Sequence, residues 1–395
     1  MTDLRAKFST LRELLTERHI ERYDEVEISL VAVLCKYHAV LIGPPGTAKS
    51  MLSEDLVNAF GGATLFKYLF TKFTTPEEVW GPYDLMLLKG GSYERILQGK
   101  LASAELAYID EFFKANSAIQ NTLLTGMNER QFDNGVERID IPLNTVFAAS
   151  NEMPEGEKLW ALFDRFHIRK RVDYIHEPGN FVKMIKAKDG MPSLDLTMED
   201  LKVAQDEVSK VEVGDSVYDT LVDIRSDMQM EGLIASDRRY RQSIKAMKAT
   251  AWLHERDVVT DDDFRILEHM LWTSPEDIKR VSRIVLQHTN PLDQEANEII
   301  DLADEIAGAL TSALMDAKAK GVDSNTTLTK QGIEWFTRCR GLADRIKKLE
   351  NKAEQLGRPM NRIEQAKDRV VRVAREVSKN TMGIDHMDLK FEGRS

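Results

Sequence analysis

Only two cysteines, Cys35 and Cys339, occur in the 395 residues, and they stand too far apart in sequence to build a zinc cluster. Thiols this sparse exclude a disulfide framework and are expected to be free in a reducing cytosol. No apolar run approaches the ~20 residues that a bilayer-spanning helix needs. The opening Met1-Thr2-Asp3-Leu4-Arg5 runs into an amphipathic helix and lacks the apolar core of a signal peptide. Positive charge is in deficit: 54 Lys and Arg stand against 65 Asp and Glu, a net charge of −11. That balance argues against a general grip on nucleic acid, while leaving room for a local basic pore. Neither a short-period repeat nor a low-complexity tract is present. A hydrophobic share of 42% with 30% charged residues suits a globular fold, and the expected location is cytoplasmic. The length exceeds one ordinary core, so two or three domains are expected.

What is present is sharpest at residues 43–50. The apolar run Ala39-Val40-Leu41-Ile42 feeds Gly43-Pro44-Pro45-Gly46-Thr47-Ala48-Lys49-Ser50, and helix-forming Met51–Phe60 follows. A tight Gly/Pro loop between strand and helix turns backbone N–H groups toward an anion, so Gly43 through Met51 are the candidate nucleotide contacts. Lys49 can reach the β- and γ-phosphates, and the Ser50 hydroxyl can ligate Mg²⁺. Ala48 stands where the pattern Gly-x4-Gly-Lys-Ser usually has its second glycine, and it still allows helical φ/ψ.

Short apolar strands alternate with helices through the first half. Residues 4–18 and about Glu25–Tyr37 read as helices. Ala63–Phe66, Leu106–Ile109 and Thr145–Ala149 read as strands, with a helix over Asn116–Arg130 between the last two. This alternation predicts an α/β fold with a parallel sheet covered on both faces, over residues 1–185. Residues 186–290 turn helical, with box-like starts at Thr197-x-x-Asp200 and Thr260-x-x-Asp263 and helices over Val217–Met230 and Ser236–Glu255. In residues 291–395, apolar positions step by three and four on both sides of Gly357-Arg358-Pro359, which predicts a helical hairpin. That hairpin either packs on its own domain or serves as a docking arm.

Leu106-Ala107-Tyr108-Ile109-Asp110-Glu111 is an apolar strand ending in two carboxylates, about 60 residues after the loop lysine, an ordinary gap within an open α/β sheet. Asp110 would hold the hydration shell of Mg²⁺, and Glu111 would orient and polarise an attacking water. Asn151, at the tip of Val146-Phe147-Ala148-Ala149-Ser150, can place that water or simply begin a turn. Arg165, after Leu162-Phe163-Asp164, could reach a neighbouring copy's γ-phosphate, with Arg169 and Arg171 as rivals. Arg238, in Ser236-Asp237-Arg238-Arg239, could clamp phosphate from the helical domain, with Arg239 as its rival.

These elements in this order resemble an AAA+ ATPase, more closely the MoxR family and, within it, the RavA-type regulatory ATPases. The likeness covers about residues 5–275. It rests on Gly43–Ser50, Phe73-Thr74-Thr75-Pro76-Glu77-Glu78-Val79-Trp80-Gly81-Pro82, Asp110-Glu111, Asn121–Leu124, Asn128-Glu129-Arg130-Gln131-Phe132, Ala148–Glu152, Asp164-Arg165 and Ser236–Arg239. It implies an AAA+ core, an all-helical lid domain and a C-terminal helical region. Residues 66–100 resemble a helix-2 insertion with a strand-turn-strand pattern. Phe132–Pro142 reads as a β-hairpin around Asp133-Asn134-Gly135, and the likeness implies that it faces a central pore. The resemblance further implies ATP with Mg²⁺ at the subunit interfaces of a homo-oligomeric hexamer, a protein client, and a von Willebrand A-domain protein as partner. The alternative is a nucleotide-gated binding module that turns over slowly and docks a partner through its helical tail. A nucleic-acid motor is disfavoured by the acidic charge and by a hairpin whose one base, Arg138, lies between Glu137 and Asp140.

Overall fold

The computed structural model describes residues 4–175, 178–187, 190, 194–289, 291–320, 325–356 and 360–384. The chain divides into two compact units, Met1–Val285 and Leu286–Ser395.

The first unit is built on a parallel sheet of five strands: β1 (His38–Ile42), β2 (Leu65–Leu69), β3 (Leu106–Asp110), β4 (Thr145–Ser150) and β5 (Phe166–Arg171). Their spatial order is β2-β3-β4-β1-β5. The central strands β1 and β4 are buried along their whole length, as expected of a sheet covered on both faces. The edge strand β2 begins at Leu65, two residues later than its apolar run suggests: the Ala63 N–H turns back to Phe60 O at 3.2 Å, and Phe60-Gly61 pair separately with Leu196-Thr197. Helices Leu4–Arg18, Tyr23–Cys35, Lys49–Asn58 and Ser117–Glu129 lie where amphipathic spacing puts them. Asn116 caps the last of these, accepting from the backbone N–H of Ala118 and Ile119.

His38 ties the sheet to its cover. Its Nε2 donates to the Met127 carbonyl at 2.8 Å, and its Nδ1 accepts from the Val146 N–H at 3.0 Å. The ring is therefore neutral with one nitrogen in each role, and burial, reinforced by the Arg130 charge, lowers its pKa to about 3.

The segment 70–100 carries two short helices, Pro76–Trp80 and Leu85–Lys89, with one isolated bridge between Tyr83 and Arg95, in place of the expected strand-turn-strand. Pro76 at the first helical position and the reciprocal Thr75/Glu78 capping box favour helix locally. Trp80 anchors this segment: it stacks on Phe132 with ring centroids 4.7 Å apart and donates to the Thr122 hydroxyl at 2.8 Å. Gly126 makes room for it, since a Cβ there would lie 2.6 Å from the indole. Truncating a buried tryptophan costs about 3–5 kcal/mol. The partly exposed Arg95–Glu77 pair is worth at most about 1 kcal/mol, so Trp80 dominates the attachment. The hairpin pairs Gln131–Asn134 with Glu137–Asp140. Its two-residue loop is Gly135-Val136, one residue later than the sequence suggests, and Asn134 Oδ1 accepts from the Arg95 N–H at 2.7 Å.

Past Leu196 the first unit is helical, with Met198–Lys210, Asp215–Met230, Asp237–Leu253 and a 3₁₀ run Asp261–His269. Both expected capping boxes are present, but the second opens the 3₁₀ run and not an α-helix. Among the described residues from 291 onward, three helices, Pro291–Lys320, Asn325–Leu356 and Asn361–Met382, stand where a two-helix hairpin is expected. The additional helix carries its own stripe, Ala296, Ile299, Ala303, Ile306 and Leu310, and buries it in the same core as Ile346, Val370 and Val373. The expected break at residues 357–359 lies outside the described residues. Cys35 and Cys339 are free and buried. Among the described residues no helix is long and apolar enough to cross a membrane, and no group of three or more His, Cys, Asp or Glu could hold a metal ion.

Two tests follow from this packing. A folded-state pKa depressed below the usual 6.5 means that the unfolded chain binds more protons. His38 therefore contributes its full stability above about pH 6.5 and loses that contribution as pH falls toward 3. Buried His167 and His269 act with the same sign. Urea midpoints are expected to drop between about pH 7 and pH 5, and His38→Gln, whose amide can both donate and accept, is expected to flatten part of that slope. In the second unit, a Cβ on Gly332 would sit 1.9 Å from Thr381 Oγ1, whereas one on Gly341 meets nothing within 4 Å. Gly332→Ala is expected to destabilise by about 1–3 kcal/mol, and Gly341→Ala to stabilise by up to ~1 kcal/mol, measured by denaturant unfolding.

Candidate functional site

The loop after β1 is pinned at its root. The Gly43 N–H donates to Ser150 O at 3.0 Å, and the Val172 N–H donates to Ile42 O at 2.8 Å. A Cβ on Gly43 would lie 2.0 Å from the Val172 carbonyl, so only glycine fits between the ends of β4 and β5. Gly46 and Ala48 both take positive φ, +79° and +63°. Ala48 thus adopts the left-handed conformation and not the helical one expected for it, at a cost of about 1–2 kcal/mol that glycine would avoid. Thr47 Oγ1 donates back to Pro44 O at 2.9 Å and closes the turn. Helix Lys49–Asn58 starts directly behind, with its orphan N–H groups at the loop.

Lys49 lies within this loop and is 7% exposed. Its ammonium donates to Gly43 O at 2.7 Å, Pro44 O at 2.8 Å, Thr47 Oγ1 at 3.3 Å and Asn151 Oδ1 at 3.4 Å. Burial lowers its pKa, and the nearby Asp110 and Glu111 carboxylates oppose that shift. Asn151 then donates through Nδ2 to Glu111 Oε1 at 2.8 Å, and Lys114 lies 3.4 Å from the same carboxylate. Glu111 sits at φ +52°, an unusual conformation for a non-glycine residue and of the kind that collects at functional sites. Asp110 ends β3, and its Oδ1 accepts from the Glu111 N–H at 2.9 Å. Tyr108, two residues back on the same face of the strand, donates its hydroxyl to Ser50 Oγ at 2.7 Å. Lys49, Ser50, Asp110, Glu111 and Asn151 therefore gather at the C-terminal edge of the sheet, where open α/β folds bind ligands.

The arginines lie elsewhere. Arg165 immediately precedes β5, whose first residue, Phe166, is in register with His38, the first residue of β1. In a parallel sheet this is the edge opposite the phosphate loop, about 16 Å away along five residues of β1. Arg238 lies at the same edge: its charge acts on His167, and the next residue, Arg239, donates to Asp164 Oδ1 at 2.7 Å. The lid arginine does not sit over the phosphate loop of its own chain. Its helix Asp237–Leu253 packs where Tyr37 donates to Gln242 O, just before β1 begins.

The rivals differ in commitment. Arg169 is fully buried and donates to Phe166 O, Phe163 O and Trp272 O at 2.8–2.9 Å. Arg171 lies at the phosphate-loop end of β5, beside Asp173 at 3.7 Å. Arg239 is bound to Asp164, Trp272 O and Thr273 Oγ1. Among the described residues, neither Arg165 nor Arg238 forms an ion pair; Arg165 donates only to Ala161 O, and Arg238 is exposed. On the hairpin, Arg138 is occupied by Asp133 at 2.7 Å, so no free base is presented there.

Arg22 escaped the sequence reading. It is buried, and it donates to Thr47 O at 3.3 Å and Asp173 O at 2.5 Å, bracing the loop from behind. No local pattern marks it, because both partners are backbone carbonyls distant in sequence.

Residues 6–212 match the family model described as the MoxR domain in the MoxR-vWA-beta-propeller ternary systems, and residues 216–285 match an AAA lid domain. Two uncharacterized proteins of Methanocaldococcus jannaschii are 34% and 33% identical over 89% and 90% of this chain and 92% and 94% of their own lengths. The chaperone MoxR1 of Mycobacterium tuberculosis is 29% identical over 43% of this chain and 46% of its own. In fold, a crystal structure of a candidate ATPase from Cytophaga hutchinsonii superposes with a TM-score of 0.59 at 18% identity, covering 73% of this chain and 95% of that one. These matches do not single out the RavA-type branch.

Replacing Arg22 by Met leaves the Thr47 and Asp173 carbonyls without their donor. The expected cost is about 1–3 kcal/mol, read as a lowered urea midpoint together with weaker nucleotide binding.

Proposed function

This chain belongs to the MoxR family of AAA+ ATPases, and from that premise we propose that it hydrolyses ATP to ADP and phosphate at sites shared between neighbouring copies of a hexameric ring. Turnover then drives the remodelling or maturation of a partner protein in the cytoplasm. The observation that carries this reading is the division of the candidate residues between the two edges of one parallel sheet. The phosphate loop and its carboxylates stand at one edge, and the two uncommitted arginines stand at the other. A second copy, docked edge to edge, supplies the charge that one copy cannot bring to its own nucleotide.

The contacts support the following division of roles. The loop N–H groups and Lys49 bind the phosphates, and Lys49 exchanges the carbonyls of Gly43 and Pro44 for phosphate oxygens. Ser50 and Asp110 would hold Mg²⁺; both offer hard oxygen donors, and Mg²⁺ is usually held by one or two protein groups together with substrate phosphates. Such an ion, when bound, neutralises charge developing on the β- and γ-phosphates. Tyr108 donates its hydroxyl to Ser50 Oγ and so restrains that side chain beside Asp110. Glu111 orients the attacking water and receives its proton, and Asn151 fixes the carboxylate between itself and Lys114. Arg165 and Arg238 of the neighbouring copy stabilise the transferring phosphoryl group, a role worth about 10³–10⁵ in kcat where it has been measured in other nucleotide sites. The systems for which the matched family is described point to a partner with a von Willebrand A domain, alongside a β-propeller.

The test is the solution mass of Glu111→Gln with and without Mg·ATP, by light scattering. Six copies of the 45.0 kDa chain approach ~270 kDa, a closed symmetric assembly. ATP is expected to bind without turnover and to shift the protein to that mass, and Arg165→Ala is expected to abolish hydrolysis while leaving ATP binding intact. A protein that binds ATP and stays monomeric would overturn the shared site and leave the nucleotide-gated docking module.

A further inference from the structure

Two adjacent pairs of residues meet at the sheet edge away from the phosphate loop. Asp164 precedes Arg165, and Arg239 follows Arg238. The inner members are joined, with Arg239 Nη2 donating to Asp164 Oδ1 at 2.7 Å. We propose that Asp164 and Arg239 are positioning residues that hold Arg165 and Arg238 as one rigid two-pronged unit for the neighbouring copy's nucleotide. This inference rests on the shared-site reading above.

The surrounding contacts favour a structural tie over a chance surface pair. Arg239 is 5% exposed and Arg169 is fully buried. Both guanidinium groups donate to the same carbonyl, Trp272 O, at 3.2 and 2.8 Å. Arg239 also reaches Thr273 Oγ1, and Arg169 lies 4.0 Å over the Phe163 ring while bonding Phe163 O and Phe166 O. The turn 163–166, which carries Arg165, is thus fixed from beneath by Arg169. The start of helix Asp237–Leu253, which carries Arg238, is fixed to that turn by Arg239. Among the described residues, Asp164 is the one carboxylate that pairs with both buried cations, 2.7 Å from Arg239 and 3.6 Å from Arg169. Charge-assisted bonds of this kind in a buried setting hold geometry well, whereas Arg165 donates only to Ala161 O and Arg238 is exposed. Through the tie, a shift of the helical domain carries Arg165 and Arg238 together.

Arg239→Met breaks the tie while Arg169 still donates to Trp272 O and stays beside Asp164; Asp164→Asn is the second variant. Each is expected to lower kcat by about 10²-fold, the cost of displacing a catalytic group by ~1 Å, with binding of a fluorescent ATP analogue unchanged. Mixing decides where the defect acts. Lys49→Ala subunits have a ruined phosphate loop but intact arginines. Adding them to Arg239→Met subunits is expected to raise turnover above that of either alone, because the intact arginines then face an intact loop. Unchanged kcat in both variants would overturn the proposal. Lost analogue binding with no recovery on mixing would also overturn it, since the pair would then serve its own chain's site. Arg165→Ala mixed with Lys49→Ala is the reference: if that mixture also fails to recover, the shared site itself falls and the positioning role falls with it. If it recovers while the Arg239→Met mixture does not, the positioning role alone falls.

Discussion

Parallel strands all point one way, and the placement of every candidate residue in the first unit depends on that polarity. β1, β3 and β4 deliver Lys49, Asp110, Glu111 and Asn151 to their C-terminal edge, where the strands end and the phosphate loop begins. The same register sets Arg165, just before β5, at the opposite edge. An arginine side chain does not span the length of the sheet, so the two halves of the proposed chemistry cannot meet within one chain. Association between copies is then what the proposed mechanism requires.

The elements outside the sheet are held by a few large side chains and by backbone acceptors. Trp80 seats the segment around residues 76–97 on helix Ser117–Glu129 and on the hairpin, and Arg95 joins that segment to Asn134 and ties it internally to Gly81. Arg22, Arg169 and Arg239 each donate to main-chain carbonyls from different parts of the chain. Buried guanidinium groups suit this use, because a fixed fork of donors can satisfy several acceptors that would otherwise be left unpaired. The second unit has a different character: three helices share one apolar core, and the close approach at Gly332 depends on a missing side chain.

Much of this was legible in the chain. The strands β1, β3 and β4 stand out because buried parallel strands are apolar on both faces, and the phosphate loop stands out because its glycines and prolines answer local backbone needs. The hairpin was legible because Asn134-Gly135 favours a tight turn, although Asn134 ends the first strand opposite Glu137 and its side chain accepts from the Arg95 N–H. Of the strand-turn-strand pattern expected within residues 66–100, only the bridge between Tyr83 and Arg95 forms, because Asp84 caps the helix Leu85–Lys89 between them. The helix Pro291–Lys320 was passed over because its alanine-rich stripe is a weaker signal than the Leu and Val stripes that follow.

By itself the sequence determined the α/β and helical division, the phosphate loop and the carboxylates that follow β3, since each is written in neighbouring residues. The tertiary structure alone decided which arginines are committed. Arg165, Arg169, Arg171, Arg238 and Arg239 look alike in a string of letters. Their difference lies in carbonyls and carboxylates brought from far along the chain: Trp272 O for Arg169 and Arg239, Asp164 for Arg239, and no ion partner among the described residues for Arg165 or Arg238. Ala48 shows the same limit at one residue. Its left-handed backbone is imposed by a loop pinned between the ends of two strands, and no property of alanine announces it.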